Sequence, residues 1–171
     1  MSRPIVLLGL MGSGKTTVGE LLAQRLDRPF WDGDAQLEGM TGQSAARLSA
    51  ERGADVLHRL EVEVLVRGLS NRPAQVVAAA AAVVLDPQVP SLLAETWVVW
   101  LRVEVAHLVS RLRHDDGHRP LPSGDLLGML REMARVREPL YASLADLTVD
   151  SGRSTPAATV RRIVASLPAG S

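Results

Sequence analysis

One octapeptide constrains this chain more than any other stretch: Gly9-Leu10-Met11-Gly12-Ser13-Gly14-Lys15-Thr16. It fits G-x-x-x-x-G-K-[ST], the loop whose backbone N–H groups cradle phosphate. Its flanks are those the motif requires. Ile5-Val6-Leu7-Leu8 is a short apolar run of the kind a buried parallel strand needs. From Thr17 to Leu26 apolar residues recur at helical spacing. The order is strand, glycine loop, helix.

The chemistry asks for these residue types. Around Gly12, Ser13 and Gly14 the backbone turns its N–H groups inward as a nest for phosphate oxygens. The helix opening at Lys15, Thr16 and Thr17 adds its positive end. Lys15 reaches the β- and γ-phosphates of a nucleotide as a point charge, and Thr16 offers a hydroxyl to Mg²⁺. Lys15 is the only lysine of the chain; every other basic side chain, histidines aside, is arginine. A composition that uses arginine elsewhere keeps lysine where a guanidinium is too large.

With 171 residues the chain is expected to form one domain with a sizeable core. Its formal net charge is zero, which gives no reason to expect a nucleic-acid or membrane surface. Cysteine is absent, which fits a reducing cytoplasm. The N-terminal apolar run is too short for a signal peptide, and Val76–Leu85 is far below membrane-spanning length. A cytoplasmic monomer is expected.

Further along, Pro29-Phe30-Trp31 leads into Asp32-Gly33-Asp34. Carboxylates at the carboxyl end of a strand, in the same unit as a phosphate loop, invite the metal and acceptor roles of phosphoryl transfer. The bland alternative is a turn with Asp34 capping the next helix. From Asp34 to about Leu69 the pattern is helical, broken at Thr41-Gly42 and Gly53. His58 and Arg59 fall on the apolar stripe of its last helix. A strand is expected to open at Val76 and end within the alanine run Ala78–Ala82. A short helix end at Leu92–Glu95, a strand Trp97–Leu101, a helix Glu104–Arg113, a helix Asp125–Leu144, a strand Leu147–Val149 and a closing helix through Leu167 complete the chain. The segment His114–Pro122 reads as a loop rather than a metal site, because its spacing matches no ligand pattern. Strand–helix alternation gives an α/β fold with about five parallel strands.

At this point the chain resembles the shikimate kinases, in the nucleoside-monophosphate-kinase-like branch of P-loop proteins. The matching pieces are GLMGSGKTT, DGD at Asp32–Asp34, TGQS at Thr41–Ser44, GADVLHRLE at Gly53–Glu61, RPL at Arg119–Leu121, REPLY at Arg137–Tyr141 and the loop Val149–Pro156. The resemblance implies a three-layer fold with sheet order 2-3-1-4-5, an acceptor-binding helical segment at about 33–62 and a lid at about 112–124. It implies transfer of the γ-phosphoryl of ATP, with Mg²⁺, to a ring hydroxyl of a small molecule. Asp32, beside Thr16, would hold Mg²⁺ through water. Asp34 would orient or deprotonate the acceptor hydroxyl, and Arg119 would stabilise the moving phosphoryl. Arg111 and the loop Arg153–Pro156 would sandwich the adenine, and Arg137 would hold the acceptor's carboxylate.

The chain departs from the pattern at the acceptor. His58 stands where the family places an arginine, Ala80, Ala81 and Ala82 replace three glycines, and Ser49 and Leu57 replace aromatic residues. A related, less acidic cyclic alcohol is therefore the expected acceptor. Shikimate itself, gluconate (on the strength of the DGD triplet) and a non-catalytic nucleotide-binding role are the alternatives.

Overall fold

The computed structural model describes residues 2–114 and 124–168. Five strands form one parallel sheet in the order β2-β3-β1-β4-β5, as expected. They are β1 (Ile5–Leu8), β2 (Phe30–Asp32), β3 (Val76–Ala78), β4 (Trp97–Arg102) and β5 (Leu147–Asp150). The central position of β1 follows from its sequence. All four residues are apolar and buried, and it is paired on both sides, with Val6 opposite Val77 and Val98.

Alternation along the strands divides the core. Ile5 and Leu7 of β1 and Trp97, Val99 and Leu101 of β4 point to one face, where α1 (Lys15–Leu26) and α8 (Pro156–Ser166) cover them. Val6, Leu8, Val98 and Trp100 point to the other. There α6 (Val105–His114) and α7 (Leu126–Leu144) contribute Leu108, Leu130 and Tyr141. A smaller cluster of Leu37, Leu48 and Val64 joins α2 (Gly33–Thr41), α3 (Ala45–Arg52) and α4 (Ala54–Ser70), with Leu57 packed against it. Gly68 brings α4 close to β2, because a methyl there would lie 2.6 Å from Cδ1 of Trp31.

β3 stops at Ala78, inside the alanine run. The chain then forms a 3-10 turn, Val83–Leu85, and a short helix α5 (Val89–Leu93). The sequence reading had missed that turn and placed α5 later. Arg59 is exposed rather than on the buried stripe of α4, whereas His58 is half-buried. Leu112 to His114 form the last turn of α6, with Leu112 buried. The first residues of the expected lid are thus helix; 115–123, with Arg119, lie outside the described residues. Among the described residues no helix is long and apolar enough to cross a membrane.

Candidate active site

All strands being parallel, their carboxyl ends gather at one edge, and the candidate residues lie there. The loop after β1 makes a tight return that two positions make possible only for glycine. Gly9 has φ +155°, and a methyl there would stand 2.8 Å from the Leu101 carbonyl. Gly14, at the mouth of α1, has φ 93°. Lys15 folds over this loop, its Nζ donating to the carbonyls of Gly9 at 2.8 Å and Leu10 at 3.2 Å.

β2 delivers the first carboxylate. Asp32 accepts from Thr16 Oγ1 at 2.7 Å through one oxygen. Its other oxygen accepts from the backbone N–H of Asp34 at 3.0 Å and of Ala35 at 3.2 Å. Asp32, not Asp34, is thus the cap of α2, and Asp34 is left on the first turn to face the cleft. Lys15, Thr16 and Asp34 line one cleft together with Gly12, Gly14 and Arg111.

A second cavity adjoins the outer side of the loop, lined by Ser13, Thr17, Arg111, Ser151, Pro156 and Thr159 among others. Arg111 ties its walls together, donating to the Gly12 carbonyl at 3.2 Å and the Ser151 carbonyl at 2.6 Å. The buried hydroxyls of Ser13 and Thr159 have no hydrogen-bond partner there. The cavity therefore offers a flat cation and a proline face, a set that suits a purine. Arg153 does not line it. Its side chain is 73% exposed and pairs loosely with Glu104 at 3.7 Å.

The acceptor candidates meet on the other side of Asp34. His58 is flanked by two carboxylates: Nδ1 lies 3.9 Å from Glu61 and Nε2 lies 3.6 Å from Asp86. Glu61 is 8% exposed. Burial and the neighbouring Asp34 push its carboxyl up to about 7, and Arg137 opposes the rise. Arg137 also bonds the phenol of Tyr141, which burial pushes above its ordinary range. Tyr141 in turn donates to the Ala81 carbonyl at 2.6 Å, which ties α7 to the alanine run. Ala80 is buried, and Ala81 and Ala82 are half-buried. None of the three has a positive φ.

The sequence reading had not singled out Glu61, Asp86, Ser151, Thr159 or Tyr141. Glu61 carried a signal, since it lies one helical turn after His58.

The fold and this edge define a P-loop phosphotransferase. A family model described as shikimate kinase matches residues 11–168. The chain is 39% identical over 169 residues to a shikimate kinase of Thermobifida fusca, covering 98% of this chain and 97% of that protein. It is 41% identical over 166 residues to one of Symbiobacterium thermophilum, covering 95% of each. A shikimate kinase of Acinetobacter baumannii, solved in complex with shikimate, superposes with a TM-score of 0.86 at 29% identity, over 96% of this chain and 92% of that one. The chain belongs to the shikimate kinase family, and is an ATP-dependent phosphotransferase that acts on a hydroxyl group. A gluconokinase of Sinorhizobium meliloti superposes with a TM-score of 0.67 at 24% identity, over 95% of this chain and 90% of that one, a likeness of fold alone.

Proposed function

We propose that this chain transfers the γ-phosphoryl of ATP to a hydroxyl of a cyclic alcohol, either shikimate-like or a related cyclitol, within a single domain. The observation that carries the reading is the shared cleft of Lys15, Thr16 and Asp34. It puts a phosphate cation and a candidate base on one reaction space. Phosphoryl transfer needs little more than positioning and positive charge.

Residues Gly12 to Thr17 hold the phosphates, Lys15 at the β- and γ-positions. Arg111 and Pro156 bracket the base of the nucleotide. Asp34 orients the acceptor hydroxyl and takes its proton, while α2 to α4, about 33–62, build the acceptor side. Arg137 completes that side, and Arg119, carried over from the resemblance, serves the moving phosphoryl. Mg²⁺ fits the site chemically. The Thr16 hydroxyl and the Asp32 carboxylate are hard oxygen donors already in contact, and Mg²⁺ is usually held by one or two carboxylates plus substrate phosphates. Among the described residues no group of three or more His, Cys, Asp or Glu forms a cage that would favour another metal. When bound there, Mg²⁺ would neutralise charge on the phosphates.

A second reading is shikimate kinase proper. Near full-length identity of 39% and 41% to proteins of that name favours it. His58, Asp86 and the alanine wall favour the altered acceptor. A screen of shikimate, gluconate and inositols with coupled ADP detection separates them. Turnover of at least one cyclic alcohol is expected, and ATP binding without turnover of any acceptor would overturn the reading.

A further inference from the structure

The last turn of α6 carries three basic side chains, Arg111, Arg113 and His114. Positive charge at the C-terminal end of a helix complements its dipole, which is reason enough for basic residues there. Their surroundings differ, however. Arg111 and His114 are three residues apart and so share a face of the helix. Both line the cleft that holds Lys15, Thr16 and Asp34, and Arg113 does not. Arg111 serves the nucleotide base; His114 is a further basic group on the wall of the reaction space.

His114 is exposed, yet its ring is anchored. Nδ1 lies 2.7 Å from the carbonyl oxygen of Ser110, one helical turn back. A carbonyl oxygen only accepts, so Nδ1 carries the hydrogen of this bond. That fixes the tautomer and leaves Nε2 as the nitrogen open to a ligand. When the ring is neutral, Nε2 presents a lone pair, which a phosphate oxygen cannot use. When the ring is protonated, Nε2 presents an N–H, and a bond from an ionised donor to phosphate is about twice as strong as one between neutral groups. Among the described residues, the charged groups that line the cleft with it are Lys15 from α1, Asp34 from α2 and Arg111 from its own helix. Two permanent cations against one carboxylate make this a space for an anion.

We propose that His114 is a phosphate-binding residue, its protonated ring donating from Nε2 to the γ-phosphate of ATP. This rests on the placement of the phosphates along Gly12 to Thr17 given above. The γ-phosphate is the one concerned because it must lie beside Asp34, which shares the cleft with His114. ADP ends one phosphate short of that position. His114 thus contributes to the choice of ATP over ADP, favouring entry of the donor over retention of the product.

Calorimetry tests this without knowledge of the acceptor. The full chain is titrated at about pH 6, in the range where histidines carry charge, with the Mg²⁺ complexes of ADP and of the β,γ-imido analogue of ATP. His114→Ala should weaken the ATP analogue about tenfold, the scale of losing a charge-assisted bond, and ADP by less than about twofold. His114→Lys restores a compact cation and should recover most of the loss. Arg113→Ala removes a charge from the same turn but away from the cleft, and should change neither affinity. The ADP affinity also reports that each variant is folded, so a change in the ratio of the two affinities is not a structural effect. Equal weakening of both nucleotides by His114→Ala, or of neither, would overturn the inference and leave the kinase reading standing. So would a loss that His114→Lys does not recover or that Arg113→Ala reproduces. If neither nucleotide binds the unmodified chain, the placement of the phosphates falls as well.

Discussion

Thr16 donates its hydroxyl to Asp32 across 2.7 Å, which links the first turn of α1 to the end of β2. The same carboxylate caps α2 through its second oxygen. One side chain thus serves architecture and the proposed metal site together, and the two roles are separable by substitution. Asn caps a helix about as well as Asp but lacks the charge. Asp32→Asn should therefore change stability by less than about 0.5 kcal/mol and lower kcat/KM at limiting Mg²⁺ by about a hundredfold. Asp32→Ala should lose both, with about 1 kcal/mol of stability gone. Urea titration and Mg²⁺-dependent kinetics on the two variants measure the split. Equal kinetics for Asp32→Asn and the unmodified chain would leave Asp32 a helix cap only.

Lys15 provides the second prediction. Its Nζ is held by the Gly9 and Leu10 carbonyls, so its position is set by the loop it serves. Lys15→Ala should cut kcat by at least about a hundredfold, the scale of losing a single preorganised charge in a phosphoryl-transfer site. Calorimetry with Mg-ATP checks the binding half. Unchanged affinity together with unchanged turnover would refute the assignment.

Glu61 predicts a pH dependence. In the folded chain its carboxyl titrates at about 7, against an ordinary value of 4.5 when unfolded. Folding therefore takes up a proton between those values. The stabilisation this gives is complete below about pH 4.5 and is lost as pH rises through about 7. Glu61→Gln has no such proton to lose. Relative to the unmodified chain, the variant should gain about 3 kcal/mol between about pH 4.5 and pH 8, most of it before pH 7. Denaturant midpoints of both proteins across that range give the difference directly. A difference that does not vary with pH would mean that Glu61 is ionised normally in the fold.

What could be read from the sequence was what is encoded locally. The P-loop was legible because β1, its glycines and α1 are consecutive. The end of β3 was legible because alanines are poor strand formers and Ala78 is where pairing stops. The 3-10 turn at Val83–Leu85 was not, since Val-Val-Leu reads as strand until the packing beneath it is known. The bland alternative for the Asp32–Asp34 pair put the cap of α2 on Asp34, whereas Asp32 makes it, because composition alone cannot say which carboxylate turns back. Arg153, expected with its loop at the adenine, lies beside Glu104, a surface pair that no local pattern announces. The acceptor side was least legible. His58 was singled out as a departure, but its meaning depends on Asp86, which comes from another part of the chain and meets it only in the fold.

The last prediction concerns shikimate. Its carboxylate would have to bind beside His58, whose ring already faces Glu61 and Asp86. Arginine at that position would present a bidentate fork, whereas histidine offers a single shorter contact. Losing a charge-assisted partner of this kind costs about 1.5–3 kcal/mol, or roughly ten- to a hundredfold in affinity. The alanine wall adds a steric cost. Backbone strain does not contribute, since Ala80, Ala81 and Ala82 all lie at ordinary φ and Ala82 sits at −90°. Replacing them with glycine therefore needs no change of path, and the Tyr141 bond to the Ala81 carbonyl is a backbone contact that survives. Each glycine should lower stability by about 0.5–1 kcal/mol through the entropy of the unfolded chain. A variant carrying His58→Arg with Ala80→Gly, Ala81→Gly and Ala82→Gly should thus melt earlier yet use shikimate at least tenfold better, chiefly through KM. The gain should be smaller with His58→Arg alone, because the wall remains. If the unmodified chain already turns shikimate over at about 10⁴ M⁻¹s⁻¹ or better, ordinary enzyme efficiency, the altered-acceptor reading is wrong and the chain is a divergent shikimate kinase.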